Sequence, residues 1–163
     1  RELKSIQSQG VRPTTSTVKK SLFQILEPFN DKKILDLFAG IGSLGIESLS
    51  RGASESTFVE KNKRIITPLS YNVKKICSDS NYKIIHMDVE KYLEICSDKY
   101  DIIFADPPYG YMAFEELKTK VLKLLNYKGI FCMERRFKND TYKDVRIKNY
   151  GKTQILIWQK ITK

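Results

Sequence analysis

From Lys33 onward the chain alternates short apolar runs with longer segments whose apolar residues recur every three or four positions. The short runs predict β-strands and the longer segments predict amphipathic helices, because the two elements repeat with periods of two and about 3.6 residues. Strands are predicted at residues 34–38, 56–59, 83–87, 100–105 and 130–133, and helices at residues 44–51, 61–76, 90–96 and 114–125. This repetition indicates an α/β fold with a mostly parallel sheet, right-handed crossovers and helices on both faces.

Both ends of the chain depart from this alternation. Residues 145–150 and 154–161 alternate apolar with polar side chains around a glycine, which predicts a closing antiparallel hairpin. Before the first strand, residues 14–29 place apolar side chains at helical spacing behind a run of Thr and Ser that can cap a helix. Within the second predicted helix of the core, Pro68 requires either a kink or a later start near Thr67.

Length and composition favour one domain. We expect residues 1–163 to form a single unit, with residues 1–30 as an N-terminal extension and helix and residues 31–163 as the α/β core. No apolar stretch approaches the roughly twenty residues of a membrane span, so we expect no membrane partner. The three cysteines lack CxxC spacing, which favours reduced thiols in the cytoplasm. With a single histidine, we expect no metal.

The charge balance favours a polyanionic partner. Lys and Arg number 29 against 19 Asp and Glu, which gives a formal charge of +10 and a pI near 9.4. Nucleic acid is the natural partner of such a surplus, because basic side chains displace the counterions of its phosphates. A lysine-rich solvated surface produces the same balance. Charge therefore supports a nucleic-acid partner only in combination with a pocket.

The four residues Asp106, Pro107, Pro108 and Tyr109 directly follow the apolar run 100–105. They are therefore expected at the carboxyl end of a buried strand, where open α/β sheets bind ligands. A carboxylate, two residues without a backbone donor and an aromatic ring suit a flat group with an amine, such as the exocyclic NH2 of a nucleobase. The alternative is a turn without a ligand, since Asp and Pro both favour turns.

A glycine-rich loop follows the first predicted strand. Gly40, Gly42 and Gly45 stand in a GxGxxG pattern that ends a strand and opens a helix, which predicts close approach of the backbone to a nucleotide-like cofactor. Glu60 lies 20 residues after Gly40, at the end of the second strand, where its carboxylate can accept both ribose hydroxyls. A purely structural turn is the alternative for the loop.

Two further carboxylates favour S-adenosylmethionine over a nicotinamide dinucleotide. Asp36 lies inside the first strand, four residues before Gly40, where it suits a ligand with a cationic amino group. Asp88 ends the third strand and can reach an adenine ring, with Val89 beside it. The alternatives are that Asp36 caps the glycine loop and that Asp88 caps the next helix. Either role is compatible with ligand contact.

Several motifs occur together along nearly the whole chain. They are Arg12-Pro13-Thr14 with Phe23, residues 36–53, Phe58-Val59-Glu60, Asp106-Pro107-Pro108-Tyr109 and residues 148–153. In this combination the chain resembles the bacterial 16S ribosomal RNA (guanine-N2)-methyltransferases. The resemblance implies a Rossmann-like class I methyltransferase fold with a mostly parallel seven-stranded sheet and a C-terminal antiparallel hairpin. It also implies S-adenosylmethionine as cofactor and 16S rRNA of an assembled or nearly assembled small ribosomal subunit as substrate.

On this basis the functional residues fall into three sets. The expected cofactor-binding residues are Asp36, Phe38, Ala39, Gly40, Gly42, Gly45, Glu60, Lys61, Asp88 and Val89. The expected catalytic residues are Asp106, Pro107, Pro108 and Tyr109. The expected RNA-binding residues are Arg12, Arg135 and Arg136. As a hypothesis, the Asp106 carboxylate and the Pro107 carbonyl accept the two amine hydrogens, Pro108 stiffens the turn and Tyr109 stacks on an extruded base.

Other functions remain open from the sequence. The Asp106 motif does not distinguish guanine N2 from adenine N6 or cytosine N4, so only the resemblance favours guanine. A DNA or RNA adenine or cytosine amino-methyltransferase is therefore one alternative, although 163 residues leave little room for a DNA-recognition segment. A non-catalytic RNA-binding ribosome-assembly protein is another. A nicotinamide-dependent oxidoreductase is disfavoured by Asp36. We expect a monomer.

Overall fold

The structure is a computed structural model and describes residues 16–163. Within this range the helices are α1 Ser16–Leu26, α2 Ser43–Ser50, α3 Lys63–Ile76, α4 Val89–Ile95 and α5 Phe114–Leu122. The strands are β1 Lys33–Leu37, β2 Glu55–Glu60, β3 Tyr82–His86, β4 Tyr100–Ala105, β5 Leu125–Arg136, β6 Val145–Tyr150 and β7 Thr153–Gln159. Strands and helices alternate as far as β5, as the sequence periodicity predicts.

All seven strands form one sheet in the order β3-β2-β1-β4-β5-β7-β6. Neighbouring strands from β3 to β5 are parallel, whereas β7 is antiparallel to β5 and β6 is antiparallel to β7. The predicted α/β class, parallel core and closing hairpin are therefore confirmed. From β1 the chain proceeds outward through β2 and β3 and then returns to β4 on the other side of β1. This reversal opens a crevice above the carboxyl ends of β1 and β4.

The sheet separates two apolar layers. On one face, cores built with α1, α2 and α3 include Phe23, whose ring centroid lies 5.7 Å from that of Phe104. On the other face α4 and α5 pack, and Phe114 stacks on Phe131 at 5.7 Å. Side chains alternate along a strand, so Phe104 faces α1 while Ala105 faces α4 and α5. The same alternation decides which face each functional side chain takes.

Helix α3 resolves the question raised by Pro68. The helix begins at Lys63, where the Asn62 side chain accepts a hydrogen bond from the Arg64 amide at 3.0 Å, and Pro68 lies inside it. Of the two alternatives, the later start near Thr67 is therefore wrong. The Asn62 cap supplies the missing start signal, since a side-chain oxygen at that position satisfies an amide of the first turn.

Three other predicted elements also have different boundaries. Helix α5 ends at Leu122, before the predicted residue 125, because Leu125 already pairs with Tyr100 of β4. Strand β5 is correspondingly longer than predicted and passes an irregularity opposite β4. Helix α1 ends at Leu26, since Pro28 follows and the residue before a proline disfavours helix.

Within residues 16–163, no helix has both the length and the apolar character needed to cross a bilayer. Cys77, Cys96 and Cys132, all within this range, form no disulfide bond.

Candidate active site

The three glycines of the loop after β1 have different roles. Gly40 has φ +57°, and a Cβ built there would have nothing within 4 Å. A Cβ on Gly42 would lie 2.7 Å from Leu69 Cδ1, and one on Gly45 would lie 2.3 Å from Phe58 Cε1. Gly42 and Gly45 therefore let α2 and α3 approach the sheet, whereas Gly40 borders open space. Of the three, Gly40 has the geometry expected of a residue next to a ligand.

Phe38 joins this loop to the segment after β4. Its φ is +57°, a conformation that a bulky residue adopts rarely and that accumulates at functional sites. Its ring packs edge-on against Tyr111 with centroids 5.0 Å apart, and the neighbouring Ala39 amide donates to the Val59 carbonyl at 3.0 Å. Together these contacts hold the entrance of the glycine loop.

Tyr111 is a site residue that the sequence reasoning missed. Burial and the nearby carboxylates of Glu90 and Asp88 raise the pKa of its phenol to about 12, which places it close to the end of β3. It therefore connects the ends of β1, β3 and β4 around the crevice. The available signal was a second aromatic residue two positions after Tyr109.

Glu60 fastens the glycine loop to the start of α3. Its buried carboxylate accepts the Gly40 amide at 2.9 Å through Oε1 and the Asn62 amide at 2.8 Å through Oε2. Each carboxylate oxygen has two acceptor sites, so both can still accept a ligand hydroxyl. The residue therefore fits the predicted contact with a ribose. Lys61, which follows it, is exposed, and its carbonyl lies 3.1 Å from His86 Nε2.

Asp36 lies beneath the loop on the same face of the sheet. Its Oδ2 accepts the Gly45 amide at 3.0 Å, which confirms the alternative that it caps the loop. Burial raises the pKa of this carboxyl from 3.8 to about 8, the Gly45 hydrogen bond opposes the rise and the negative charge of Glu60 adds to it. A cation bound nearby would stabilise the ionised form. Asp36 therefore fits a ligand with an ammonium group.

Asp88 and Val89 form the third corner of the crevice. Asp88 caps α4 by accepting the amides of Glu90 at 3.0 Å and Lys91 at 3.3 Å, which confirms the structural alternative. The Val89 side chain is buried in the core, so its backbone is the part near a ligand. The cap and a ligand contact remain compatible, because a carboxylate has four acceptor sites.

The Asp106 motif forms a tight turn directly after β4. The Tyr111 amide donates to the Pro108 carbonyl at 3.0 Å, and Gly110 takes φ +73° within the turn. The turn directs Tyr109 into solvent, where the residue is 80% exposed. An exposed ring at the carboxyl edge of the sheet has the placement expected of a base-stacking platform.

The two arginines that end β5 differ in their surroundings. Only 7% of the Arg135 side chain is exposed, and it donates to Gln154 Oε1 at 2.7 Å and to the Tyr142 hydroxyl at 3.0 Å. Arg136 is exposed, and its Cζ lies 4.8 Å from the Tyr109 ring centroid. The geometry therefore assigns Arg135 to the closing hairpin and leaves Arg136 available to a polyanion. Arg12 lies outside the described residues.

Comparisons with known proteins agree in family and fold. The family model described as "Conserved hypothetical protein 95" matches residues 1–159. YlbH of Bacillus subtilis is 31% identical over 172 residues, covering 98% of this chain and 94% of YlbH. Ribosomal RNA small subunit methyltransferase D of Haemophilus influenzae is 36% identical over 120 residues, covering 71% of this chain and 62% of that protein. The solved structure of yhhF from Escherichia coli has a TM-score of 0.86 at 27% identity and covers 100% of this chain and 93% of its own.

Proposed function

Because the chain belongs to the family described as Conserved hypothetical protein 95, we propose that it is an S-adenosylmethionine-dependent methyltransferase of 16S rRNA. Its fold is the Rossmann-like class I methyltransferase fold that the resemblance implied, and the H. influenzae relative is named a small-subunit rRNA methyltransferase. We propose the exocyclic N2 amino group of a guanine in the small ribosomal subunit as the acceptor. One observation carries the proposal: the glycine loop after β1 and the Asp106 turn after β4 share the crevice between paired strands.

The cofactor would occupy the side of the crevice above β1, β2 and β3. Asp36 supplies a buried carboxyl suited to an ammonium group, and Glu60 supplies acceptors for ribose hydroxyls. The open space beside Gly40 leaves room for a ligand at the backbone. Asp88 and the Val89 backbone lie where an adenine would be held. Once bound, S-adenosylmethionine supplies an electrophilic methyl group on a sulfonium.

The acceptor amine would lie at the Asp106 turn. The lone pair of an exocyclic amine is delocalised into the ring, so transfer requires a nitrogen that is partly rehybridised. The Asp106 carboxylate and the Pro107 carbonyl would accept its two hydrogens and direct the lone pair toward the methyl carbon. The nitrogen would bond to the methyl carbon as the carbon–sulfur bond breaks, and it would then release a proton to water. Placement of the two groups would provide most of the rate enhancement.

Tyr109 and Arg136 would hold the RNA at the entrance. The guanidinium covers part of one face of the exposed Tyr109 ring, which leaves the other face available to a base extruded from its stack. Stacking of a base on an aromatic side chain contributes about 1–3 kcal/mol. The charge of +10 over the whole chain adds attraction to phosphates. We propose that the protein acts as a monomer.

The test is to identify the methylated nucleoside. The protein would be incubated with radiolabelled S-adenosylmethionine and, in parallel, small subunits from cells that lack the activity, naked 16S rRNA and duplex DNA. We expect N2-methylguanosine from the subunits. Label in DNA, or N6-methyladenosine or N4-methylcytidine in RNA, would instead support an adenine or cytosine amino-methyltransferase. Cofactor binding without transfer to any of these acceptors would support an assembly factor.

A further inference from the structure

Strand β5 borders the proposed acceptor site on the side away from the cofactor. The sheet order places β4 between β1 and β5, and the proposed cofactor residues lie above β1, β2 and β3. A base whose amine meets Asp106 at the end of β4 therefore extends over the end of β5. The residues at that end are the ones positioned to contact the rest of the base.

Glu134 is the carboxylate at that position. Ala105 of β4 pairs with Met133 of β5, so one step further along both segments brings Asp106 and Glu134 side by side. Alternation along β5 gives Glu134 the same face as Cys132, the face that packs against α1. The register thus brings the two carboxylates together at the carboxyl edge of the sheet, with Glu134 inside β5 and Asp106 directly after β4.

Glu134 lies in a cleft between α1 and the sheet. The walls of this cleft are mostly apolar, with Leu22, Phe104 and Ile155 among them. Only 5% of Glu134 is exposed. A hydrogen bond that a ligand donates to a carboxylate in such surroundings is stronger than the same bond in water.

The bases differ in the group that lies beside the exocyclic amine. On guanine the N1–H donor stands directly beside the N2 amine, so two neighbouring carboxylates can accept from both. On adenine and cytosine the ring nitrogen beside the amine is itself an acceptor, and a carboxylate there would be repelled. A carboxylate next to the amine-binding turn therefore selects guanine.

We propose that Glu134 is a specificity-determining residue that accepts the N1–H of the extruded guanine while Asp106 and Pro107 hold its N2 amine. This inference rests on the proposed function, because it requires a base bound at the Asp106 turn. It extends that proposal because Glu134 would select guanine, whereas the Asp106 turn alone does not distinguish guanine from adenine or cytosine.

The first experiment compares Glu134→Gln with the wild-type protein on small ribosomal subunits. The amide keeps the size of the side chain but replaces a charged acceptor with a weaker neutral one. We expect turnover to fall about tenfold, with S-adenosylmethionine affinity within twofold of wild type by calorimetry. Glu94→Gln is the matched control, since Glu94 is exposed on α4, and it should leave turnover unchanged.

The second experiment separates base selection from a structural role. After the modified nucleotide has been mapped, subunits are reconstituted with 2-aminopurine at that position, which keeps the N2 amine but carries an acceptor at N1. The wild-type protein should favour guanine over 2-aminopurine by at least about tenfold, the scale of a good base contact. In Glu134→Gln the amide can donate to N1, so this preference should fall at least about tenfold. A loss of packing alone would lower both rates together.

The outcomes separate the two proposals. If the wild-type protein forms N2-methylguanosine and both proteins show the same ratio of guanine to 2-aminopurine rates, the assignment of Glu134 is overturned and the proposed function stands. If the wild-type product is a methylated adenine or cytosine, the proposed function is wrong and the assignment of Glu134 falls with it. A ratio of guanine to 2-aminopurine rates that is high in the wild-type protein and falls in Glu134→Gln supports both proposals.

Discussion

The two sides of the crevice are built differently. On the proposed cofactor side, the carboxylates of Asp36, Glu60 and Asp88 each accept backbone amides of the glycine loop or of the first turn of a helix. On the substrate side, Tyr109 projects into solvent with Arg136 as its neighbour. The cofactor side is therefore preorganised by main-chain hydrogen bonds, whereas the substrate side depends on side chains that distant segments bring together. Mutations on the cofactor side should therefore change cofactor binding, and mutations on the substrate side should change turnover or the KM for the small subunit.

The largest expected effect is on the substrate side. Asp106→Asn should lower turnover on small subunits about 100-fold or more, the scale observed when one group that stabilises a transition state is removed. Affinity for S-adenosylmethionine should stay within twofold of wild type, as measured by calorimetry. Asp79→Asn, at an exposed position, is the control. Equal turnover in Asp106→Asn would remove the residue from the mechanism.

The second prediction concerns pH on the cofactor side. Below its pKa of about 8, Asp36 must release a proton to meet an ammonium group, so cofactor affinity should rise by up to about tenfold per pH unit between pH 6 and pH 7.5. Calorimetry in two buffers with different ionisation enthalpies would detect the released proton. Asp36→Asn should bind more weakly and lose this dependence. A wild-type affinity that does not vary with pH would contradict the assignment.

The same shift has a consequence for the unliganded protein. The folded state holds the Asp36 proton more tightly than the unfolded chain, since burial raises the pKa from 3.8 to about 8. This contribution to the free energy of unfolding is therefore complete below pH 4, is lost as the pH rises toward 8 and changes no further above it. Comparison of urea unfolding of wild type and Asp36→Asn across this range isolates the contribution.

The third prediction distinguishes a glycine that borders the ligand from a glycine that is needed for packing. Gly45→Ala forces a Cβ against Phe58 and should cost about 1–3 kcal/mol, which lowers the Tm by several degrees. Gly40→Ala places its Cβ in open space, so its cost is the strain of positive φ, about 1 kcal/mol. Gly40→Ala should nevertheless weaken cofactor binding more, because the methyl group occupies ligand space. The opposite ranking in binding would place the cofactor elsewhere.

The smallest expected effect distinguishes the two arginines on the substrate side. Arg136→Ala should raise the KM for small subunits several-fold and leave the Tm unchanged, since the side chain is exposed. Arg135→Ala should lower the Tm, because it removes two partly buried hydrogen bonds that contribute roughly 1 kcal/mol each. Thermal unfolding and steady-state kinetics on the same two variants test the assignment. An unchanged Tm in Arg135→Ala would contradict this structural role and favour the predicted contact of Arg135 with RNA.

The sequence predicted the local structure of the proposed cofactor side well because its determinants are local. The glycine loop, the end of β2 and the cap of α4 are each defined by residues a few positions apart, and the structural alternatives for Asp36 and Asp88 both proved correct. Periodicity likewise found all seven strands. The start of α3 was less certain because Pro68 obscured the Asn62 cap.

The substrate side could not be predicted to the same depth. Arg135 and Arg136 are adjacent in sequence, yet their environments are set by Gln154 on β7 and by Tyr109 after β4. The proposed placement of Glu134 beside Asp106 follows from the register of β4 and β5, which no local pattern encodes. Pairing between distant segments therefore decides which charged side chains face RNA and which stabilise the fold.

The double hydrogen bond of Glu60 has one further consequence. Because its carboxylate joins Gly40 to Asn62 through hydrogen bonds within the chain, the loop does not need a ligand to hold it in place. The conformational entropy of the loop is lost during folding, when it is compensated by the packing of α2 and α3, so less of it opposes association. The entropy lost on ordering the loop therefore lowers the stability of the fold and does not weaken cofactor affinity. The loop thus behaves as a rigid receptor for its ligand.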